Sequence, residues 1–249
     1  MSLAGVKAII LAGGFGSRLQ CEVKDLPKPM APINGRPFLE FLISRLSACR
    51  VSEIILSVGY LHEKIVKHFG DGRGFNASIA YCVEHEPLGT GGGVRETLKL
   101  AGAGDSLIVN GDTYAMVDIE NFVDFHRRHQ VSASMVVIPV PNAERYGSVT
   151  VSDDGMVASF MEKGAAGPAL INSGIYLANH SILDAIPLGH VSLELDVLPL
   201  LARQGRLAAQ IQEVQFIDIG IPEDYREFCR NTARYVGAES FSAWSAGNE

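Results

Sequence analysis

A glycine-rich segment that ends in an arginine and a leucine follows the first apolar run of the chain. The segment covers residues 13–19 and reads G-G-F-G-S-R-L. Glycines let a backbone turn sharply and bring several N–H groups against an anion. The hydroxyl of Ser17 can bond a phosphate oxygen, and the planar guanidinium of Arg18 suits a phosphate bidentately. The segment favours phosphate binding, although a tight strand-to-helix turn without a ligand would explain the glycines alone.

A lysine held between two prolines strengthens the phosphate interpretation. Lys28 lies ten residues after Arg18, between Pro27 and Pro29, whose rings restrict the backbone on both sides of it. A rigidly presented cation at this distance suits a polyphosphate that spreads across a loop. The Walker pattern is missing, and the dinucleotide-binding pattern is incomplete because Leu19 occupies the place of its third glycine.

An aspartate follows a further apolar run, at residues 107–109. Asp112 ends the sequence N-G-D directly after this run. Ligands of open α/β sheets bind at the carboxyl ends of the parallel strands. A carboxylate is also a ligand that Mg²⁺ accepts together with phosphate oxygens. The position of Asp112 therefore predicts that it binds a magnesium ion shared with phosphates.

Apolar runs alternate with helical patterns through the first half of the chain. This alternation predicts an α/β fold with a single Rossmann-like, mostly parallel sheet flanked by helices. The strands are predicted at residues 7–11, 53–58, 78–83 and 107–109. The helices are predicted at residues 38–49, 63–69, 93–101 and 119–128.

From residue 131 the pattern becomes richer in strands, which predicts a small α+β lobe on the same sheet. Its strands are predicted at residues 133–140, 147–151, 156–161, 171–177, 206–211 and 216–219. The sequence S-D-D-G at residues 152–155 predicts a hairpin turn. A closing helix is predicted at residues 222–235, with a proline at its start.

Composition excludes several classes of protein. The 249 residues are 47% hydrophobic and carry a formal net charge of −7, so the chain can bury a core and has no basic run for nucleic acid or an anionic membrane. No apolar stretch approaches the roughly 20 residues of a membrane-spanning helix. No secretory signal pattern precedes the first strand, so we expect a cytoplasmic protein. The 4 cysteines have no C-x-x-C spacing and predict neither a zinc site nor a disulfide scaffold.

The glycine-rich segment and the P-K-P motif together resemble the opening of the sugar-1-phosphate nucleotidyltransferases. The resemblance extends over about residues 6–230 and includes the stretch E-P-L-G-T-G-G at residues 86–92, similar to the nucleobase pocket of these enzymes. It implies a nucleotide-diphospho-sugar transferase fold, with a nucleoside triphosphate and a sugar 1-phosphate as substrates and Mg²⁺ as cofactor. We interpret residues 1–236 as one domain, with a nucleotide-binding half at about 1–130, a sugar-binding half at 131–236, and a flexible tail at 237–249. Whether the chain forms a homodimer stays open.

The same resemblance implies roles for individual residues. The implied catalytic residues are Arg18, Lys28, Asp112, Lys163 and Asp218, and the implied metal ligands are Asp112 and Asp218. The implied nucleotide-binding residues are Leu11, Ala12, Gly13, Gly14, Gly16, Ser17, Arg18, Lys28, Glu86, Gly89, Thr90, Gly91 and Gly111. The implied sugar-binding residues are Tyr146, Gly147, Glu162, Lys163 and Asn172.

Two segments suggest the base and the sugar. Residues 86–90 resemble a segment of guanylyl-transferring relatives, and residues 25–39 are similar to D-glycero-D-manno-heptose 1-phosphate guanylyltransferases. The resemblance therefore implies GTP with a heptose or mannose 1-phosphate, and uridylyl or thymidylyl transfer to a hexose 1-phosphate is the alternative. The full set of charged residues argues against a non-catalytic nucleotide-sugar sensor. The missing third glycine argues against a nicotinamide-dependent oxidoreductase.

Overall fold

A computed structural model of the chain describes residues 3, 5–14, 16, 19, 22–23, 25–161, 164 and 166–238. Four predicted site residues lie outside this part of the chain, namely Ser17, Arg18, Glu162 and Lys163, and so do residues 239–249 of the predicted tail. Within the described ranges, no helix has both the length and the apolar character needed to cross a membrane.

Strands and helices alternate through the first half of the chain, and strands predominate in the second. The strands are β1 (Lys7–Ala12), β2 (Pro32–Ile33), β3 (Arg36–Pro37), β4 (Glu53–Val58), β5 (Ser78–Val83), β6 (Ser106–Asn110), β7 (Thr113–Ala115), β8 (Ala133–Val140), β9 (Ser148–Val151), β10 (Val157–Met161), β11 (Ala169–Ala178), β12 (Leu207–Ile211) and β13 (Phe216–Asp218). The helices are α1 (Phe38–Ala48), α2 (His62–Phe69), α3 (Gly89–Ala101), α4 (Ile119–His129), α5 (Leu198–Arg203), α6 (Pro222–Arg230) and α7 (Thr232–Val236).

Four parallel strands form the sheet of the first half, in the order β6-β1-β4-β5. Alternate residues of β1 pack in two different hydrophobic cores, one on each face of the sheet. Ala8 and Ile10 pack in one core with the residues of α1, whereas Ile9 packs in the other with Val94 and Leu98 of α3. Because helices cover both faces, each strand reads as a continuous apolar run. The predicted α/β fold with a parallel sheet between helices is confirmed.

Helix α3 begins at Gly89, earlier than the predicted start at residue 93. Its glycines lie against a neighbouring segment rather than in a loop. A Cβ atom on Gly91 would lie 3.1 Å from the carbonyl oxygen of Val191, which accepts a hydrogen bond from the Gly91 N–H at 2.8 Å. This close packing overrides the low helix propensity of glycine, so the helix includes residues that were predicted to form a turn ahead of it.

The second half of the chain continues the same sheet. Strand β11 pairs antiparallel with β6 and with β8, β8 pairs parallel with β12, and β9 and β10 form an outer hairpin. The predicted hairpin turn is confirmed, since the N–H of Ser152 donates to the carbonyl oxygen of Met156 at 2.9 Å. Gly155 in this turn has a left-handed φ of +80°.

The C-terminal part differs from the prediction in two ways. Strand β13 lies outside the main sheet and pairs antiparallel with the short strand β7. The single helix predicted at residues 222–235 is wrong, because Asn231 leaves the helical conformation with φ −123° and ψ 32° and separates α6 from α7. The break lets Tyr235 of α7 fold back onto Phe228 of α6, with ring centroids 5.5 Å apart.

Candidate active site

A cleft of about 300 Å³ lies at the carboxyl ends of β1 and β6, at the edge where a parallel sheet is expected to bind ligands. Its walls are formed by Leu11, Ala12, Gly13, Gly14, Lys28, Pro29, Glu84, Pro87, Gly89, Thr90, Asn110, Gly111, Asp112 and His190. Most of the described residues that were predicted to bind the nucleotide therefore line one cavity. Gly16, Glu86 and Gly91 do not line it.

The loops after β1 and β6 meet through their backbones. The N–H of Gly111 donates to the carbonyl oxygen of Leu11 at 2.9 Å. A Cβ atom at position 111 would lie only 2.5 Å from this oxygen. This approach holds the glycine-rich loop beside Asp112, and only glycine allows it.

Replacing Gly111 by alanine is therefore expected to destabilise the protein by about 1–3 kcal/mol, a typical penalty for an overpacked site, and to weaken nucleotide binding. Urea unfolding and titration with GTP measure the two effects. Gly74→Ala is the matched control, since a Cβ atom there meets nothing within 4 Å. If the two variants had equal stability and equal GTP affinity, the contact between Gly111 and Leu11 would not require glycine.

Lys28, Asp112 and Asp218 converge at one end of the cleft. The Lys28 ammonium is in direct contact with Asp112 Oδ2, and it lies 3.9 Å from Asp218 Oδ1. The pairing of β7 with β13 brings the two carboxylates together, and the N–H of Ile219 donates to the backbone oxygen of Asp112 at 2.9 Å. Both carboxylates are about one-third exposed, at 35% and 33%, whereas the lysine side chain is 11% exposed.

The donor set at this end of the cleft fits Mg²⁺. Asp112 and Asp218 offer hard carboxylate oxygens that face the same cation, the Lys28 ammonium. Mg²⁺ is usually held by one or two carboxylates, with waters and substrate phosphates completing its shell. In the described part of the chain no group of three or more His, Cys, Asp and Glu residues could enclose a metal ion. Two carboxylates beside a glycine-rich loop therefore fit the kind of site that a nucleotide-bound Mg²⁺ uses.

Glu84, which sequence reasoning missed, lies in the cleft wall directly after β5. Its carboxylate is fixed, because Oε1 accepts a hydrogen bond from the Ser57 hydroxyl at 2.6 Å and Oε2 accepts one from the Leu88 N–H at 3.2 Å. Glu86, the residue that was predicted, is exposed and lines a neighbouring cavity of about 310 Å³ instead of the cleft. The position of Glu84 at the carboxyl end of a parallel strand was the signal that could have found it.

A hydrogen-bonded chain joins the predicted sugar residue Asn172 to the cleft. The Asn172 amide donates to the Tyr176 hydroxyl at 2.8 Å, and this hydroxyl donates to Glu194 Oε1 at 3.2 Å. The other oxygen of Glu194 accepts a hydrogen bond at 2.6 Å from the hydroxyl of Thr90, which lines the cleft. Burial raises the pKa of Tyr176 well above its usual value, with a further contribution from Glu194, so the hydroxyl stays protonated and can donate.

The predicted sugar residues Tyr146 and Gly147 do not line the cleft; Tyr146 lies near the strand that carries Asp218. The Tyr146 ring packs edge-on against Phe216, two residues before Asp218, with centroids 6.0 Å apart. Burial raises the Tyr146 pKa. A Cβ atom on Gly147 would lie 3.1 Å from the carbonyl oxygen of Met161, the last residue of β10. The sugar roles of both residues stay predictions.

Residues 7–234 match the family described as Nucleotidyl transferase, and the chain belongs to this family. The D-glycero-alpha-D-manno-heptose 1-phosphate guanylyltransferase of Aneurinibacillus thermoaerophilus is 38% identical over 232 residues, which cover 93% of this chain and 100% of the relative. The enzyme of the same name from Campylobacter jejuni is 38% identical over 226 residues, covering 91% of this chain and 100% of the relative.

A solved structure is also similar to this chain. The structure of HddC from Yersinia pseudotuberculosis complexed with GMP-PN has a TM-score of 0.81 to this chain at 37% identity, covering 91% of this chain and 99% of the other. The family predicted from the glycine-rich segment and the P-K-P motif is therefore confirmed.

Proposed function

We propose that the chain transfers GMP from GTP to a sugar 1-phosphate and releases pyrophosphate, with D-glycero-alpha-D-manno-heptose 1-phosphate as the first candidate acceptor and mannose 1-phosphate as the second. The observation that carries the proposal is that Lys28 and Asp112 line one cleft with Gly13 and Gly14 of the glycine-rich loop, and that Asp218 lies beside Lys28. Two guanylyltransferases match over their whole length and support the choice of reaction.

The reaction needs electrostatic help more than acid–base chemistry. The acceptor phosphate has a second pKa of about 6, so its attacking oxygen is largely dianionic at neutral pH and requires no base. This oxygen forms a bond to the α-phosphorus of GTP while the bond to pyrophosphate breaks, and pyrophosphate leaves with the electron pair. The difficulty is the mutual approach of two polyanions and the charge that develops on the leaving group.

The residues of the chain would divide this task. Backbone N–H groups of the glycine-rich loop would contact the nucleotide phosphates, and Lys28 would neutralise the departing charge. Asp112 and Asp218 would hold Mg²⁺, which when bound draws negative charge from the phosphate oxygens. From the resemblance, Arg18 would add a second cation on the nucleotide, and Glu162 and Lys163 would bind the sugar and its phosphate.

Glu84 favours guanine over uracil and thymine. The pairing edge of guanine offers donors from N1–H and the N2 amino group, and an ionised carboxylate is an acceptor only. Uracil and thymine offer one donor there, N3–H, between two carbonyl oxygens, so a carboxylate that meets this donor also faces the lone pairs of a carbonyl oxygen. Since Ser57 and Leu88 fix the carboxylate, it cannot turn away from a mismatched base without losing these bonds.

The test is pyrophosphate release, measured with four nucleoside triphosphates against heptose, mannose and glucose 1-phosphates in the presence of Mg²⁺. We expect the highest kcat/KM for GTP with heptose 1-phosphate. Preference for UTP or dTTP would support the alternative base, and binding of a nucleotide sugar without turnover of any pair would overturn the catalytic proposal.

We extend the proposal to a cytoplasmic location, where nucleoside triphosphates are supplied. We also propose that the product donates its sugar to glycan synthesis.

A further inference from the structure

We infer that Lys28 competes with the divalent metal for the carboxylates of Asp112 and Asp218, so that metal binding requires the lysine to move its ammonium from these carboxylates to the nucleotide phosphates. The inference rests on the proposed function in one respect, the assignment of the two aspartates as the metal site. It goes beyond that function because it gives Lys28 two alternative partners and makes metal and nucleotide binding depend on each other.

The contact geometry supports competition. The ammonium nitrogen of Lys28 touches Asp112 Oδ2 and is 3.9 Å from Asp218 Oδ1. A Mg²⁺ ion approaches carboxylate oxygens to about 2.1 Å. An ion that binds Asp112 Oδ2 would therefore compete for an oxygen that the ammonium already contacts, and the two positive charges would repel each other at this distance.

Gly220 lies against both the Asp218 carboxylate and the Lys28 ammonium. The N–H of Gly220 donates to Asp218 Oδ1 at 2.7 Å, which fixes the orientation of this carboxylate. A Cβ atom on Gly220 would lie 2.9 Å from the Lys28 ammonium nitrogen. Glycine at position 220 thus allows the ammonium to approach the carboxylates.

The backbone of Lys28 is fixed, so the exchange must be a movement of its side chain. Pro27 and Pro29 flank the lysine, and the N–H of Met30 donates to the carbonyl oxygen of Pro27 at 2.8 Å in a single 3₁₀ turn. Gly16, with φ +61°, packs against the base of the side chain, where a Cβ atom would lie 2.6 Å from the Lys28 Cβ. The four-carbon side chain can still turn its ammonium towards the cleft that Lys28 and the loop residues Gly13 and Gly14 line together.

If Lys28 and the metal compete, replacing the lysine should strengthen metal binding and weaken nucleotide binding. In Lys28→Met the carboxylates lose their internal cation, so we expect the protein without nucleotide to bind Mn²⁺, measured by electron paramagnetic resonance, at least about tenfold tighter than wild type. The size follows from the 10–10³-fold effect that an opposite charge at this distance has on the protonation of an aspartate. GTP binding is expected to weaken in the same variant, because the phosphates lose a cation.

Three variants serve as controls. Lys28→Arg keeps the charge and is expected to bind Mn²⁺ as weakly as wild type. Lys99→Met removes the same charge from an exposed ion pair with Glu96 on α3, and is expected to change neither affinity. The double variant Lys28→Met, Asp112→Asn is expected to lose the tighter Mn²⁺ binding, because this binding depends on the Asp112 carboxylate. Lys28→Met is also expected to melt at a lower temperature without divalent metal and to regain wild-type stability with Mg²⁺.

Equal or weaker Mn²⁺ binding by Lys28→Met, with an intact fold by circular dichroism, would overturn the inference. Pyrophosphate release by the wild-type protein separates this failure from a failure of the proposed function. Turnover of GTP together with unchanged Mn²⁺ affinity in Lys28→Met refutes only the exchange. Mn²⁺ binding that does not change in Asp112→Asn refutes the metal site on which both proposals depend.

Discussion

Replacing Asp112 by asparagine is expected to lower kcat for pyrophosphate release by about 10²–10³-fold, the usual effect of removing one charge-stabilising group from a reacting centre. Asparagine has nearly the same size but cannot supply the negative oxygen that a divalent metal needs. Stability should change little, because the carboxylate is about one-third exposed and Asp218 still pairs with Lys28. Arg18→Ala is expected to have a similar effect on kcat, from its assignment by resemblance.

Steady-state kinetics at saturating GTP and sugar phosphate, together with thermal melting, measure both quantities. Asp153→Asn is the matched control, because it makes the same change at an exposed position of the β9–β10 turn. A D112N protein with wild-type kcat would show that the metal and the phosphates are held elsewhere. A protein that loses activity only because it unfolds would be recognised from its melting curve.

Replacing Glu84 by glutamine is expected to reduce kcat/KM for GTP by roughly 10–10²-fold, the equivalent of a lost hydrogen bond to a charged group. Discrimination against UTP is expected to fall as well. A glutamine side chain carries a donor and an acceptor, so its NH₂ group can meet a carbonyl oxygen of uracil. The oxygen that remains can still accept the hydrogen bond of the Ser57 hydroxyl.

The decisive measurement is the ratio of kcat/KM for GTP and UTP in wild type, Glu84→Gln and Glu63→Gln. Glu63 on α2 is a suitable control, because its side chain is 73% exposed. An unchanged ratio in E84Q would remove Glu84 from base selection and would leave guanine preference without a basis in the cleft wall. A lower ratio in E63Q as well would show that the effect of E84Q reflects overall charge rather than contact with the base.

Much of the fold could be predicted because the central strands of the first half, β1, β4 and β6, are largely buried. Such strands are short, uniformly apolar runs, and the predicted bounds of β4 and β5 are those of the structure. The start of α3 could not be predicted, because it depends on contact between Gly91 and a segment about one hundred residues later. The break at Asn231 depends in the same way on the packing of Tyr235 against Phe228.

Some site residues could likewise be found from local motifs, whereas others are placed by contacts between residues far apart in the sequence. Gly13, Gly14, Lys28 and Asp112 lie on motifs with their own spacing, and the structure places them in one cleft. Glu84 carries no such motif, and its place in the wall depends on Ser57 of the neighbouring strand β4. The chain from Asn172 through Tyr176 and Glu194 to Thr90 is set by tertiary structure, so sequence spacing gave no sign of it.

The pairing of β11 with β6 has a consequence for how such a protein can acquire new acceptors. Four residue pairs, from Ile175 opposite Val109 to Ala178 opposite Ser106, join the two halves of the chain by backbone hydrogen bonds. A hinge between the halves would have to break this ladder, so they form a single rigid frame. Related proteins that use a different sugar phosphate should therefore differ in the side chains and loop lengths at the strand ends. Their central sheet should stay the same.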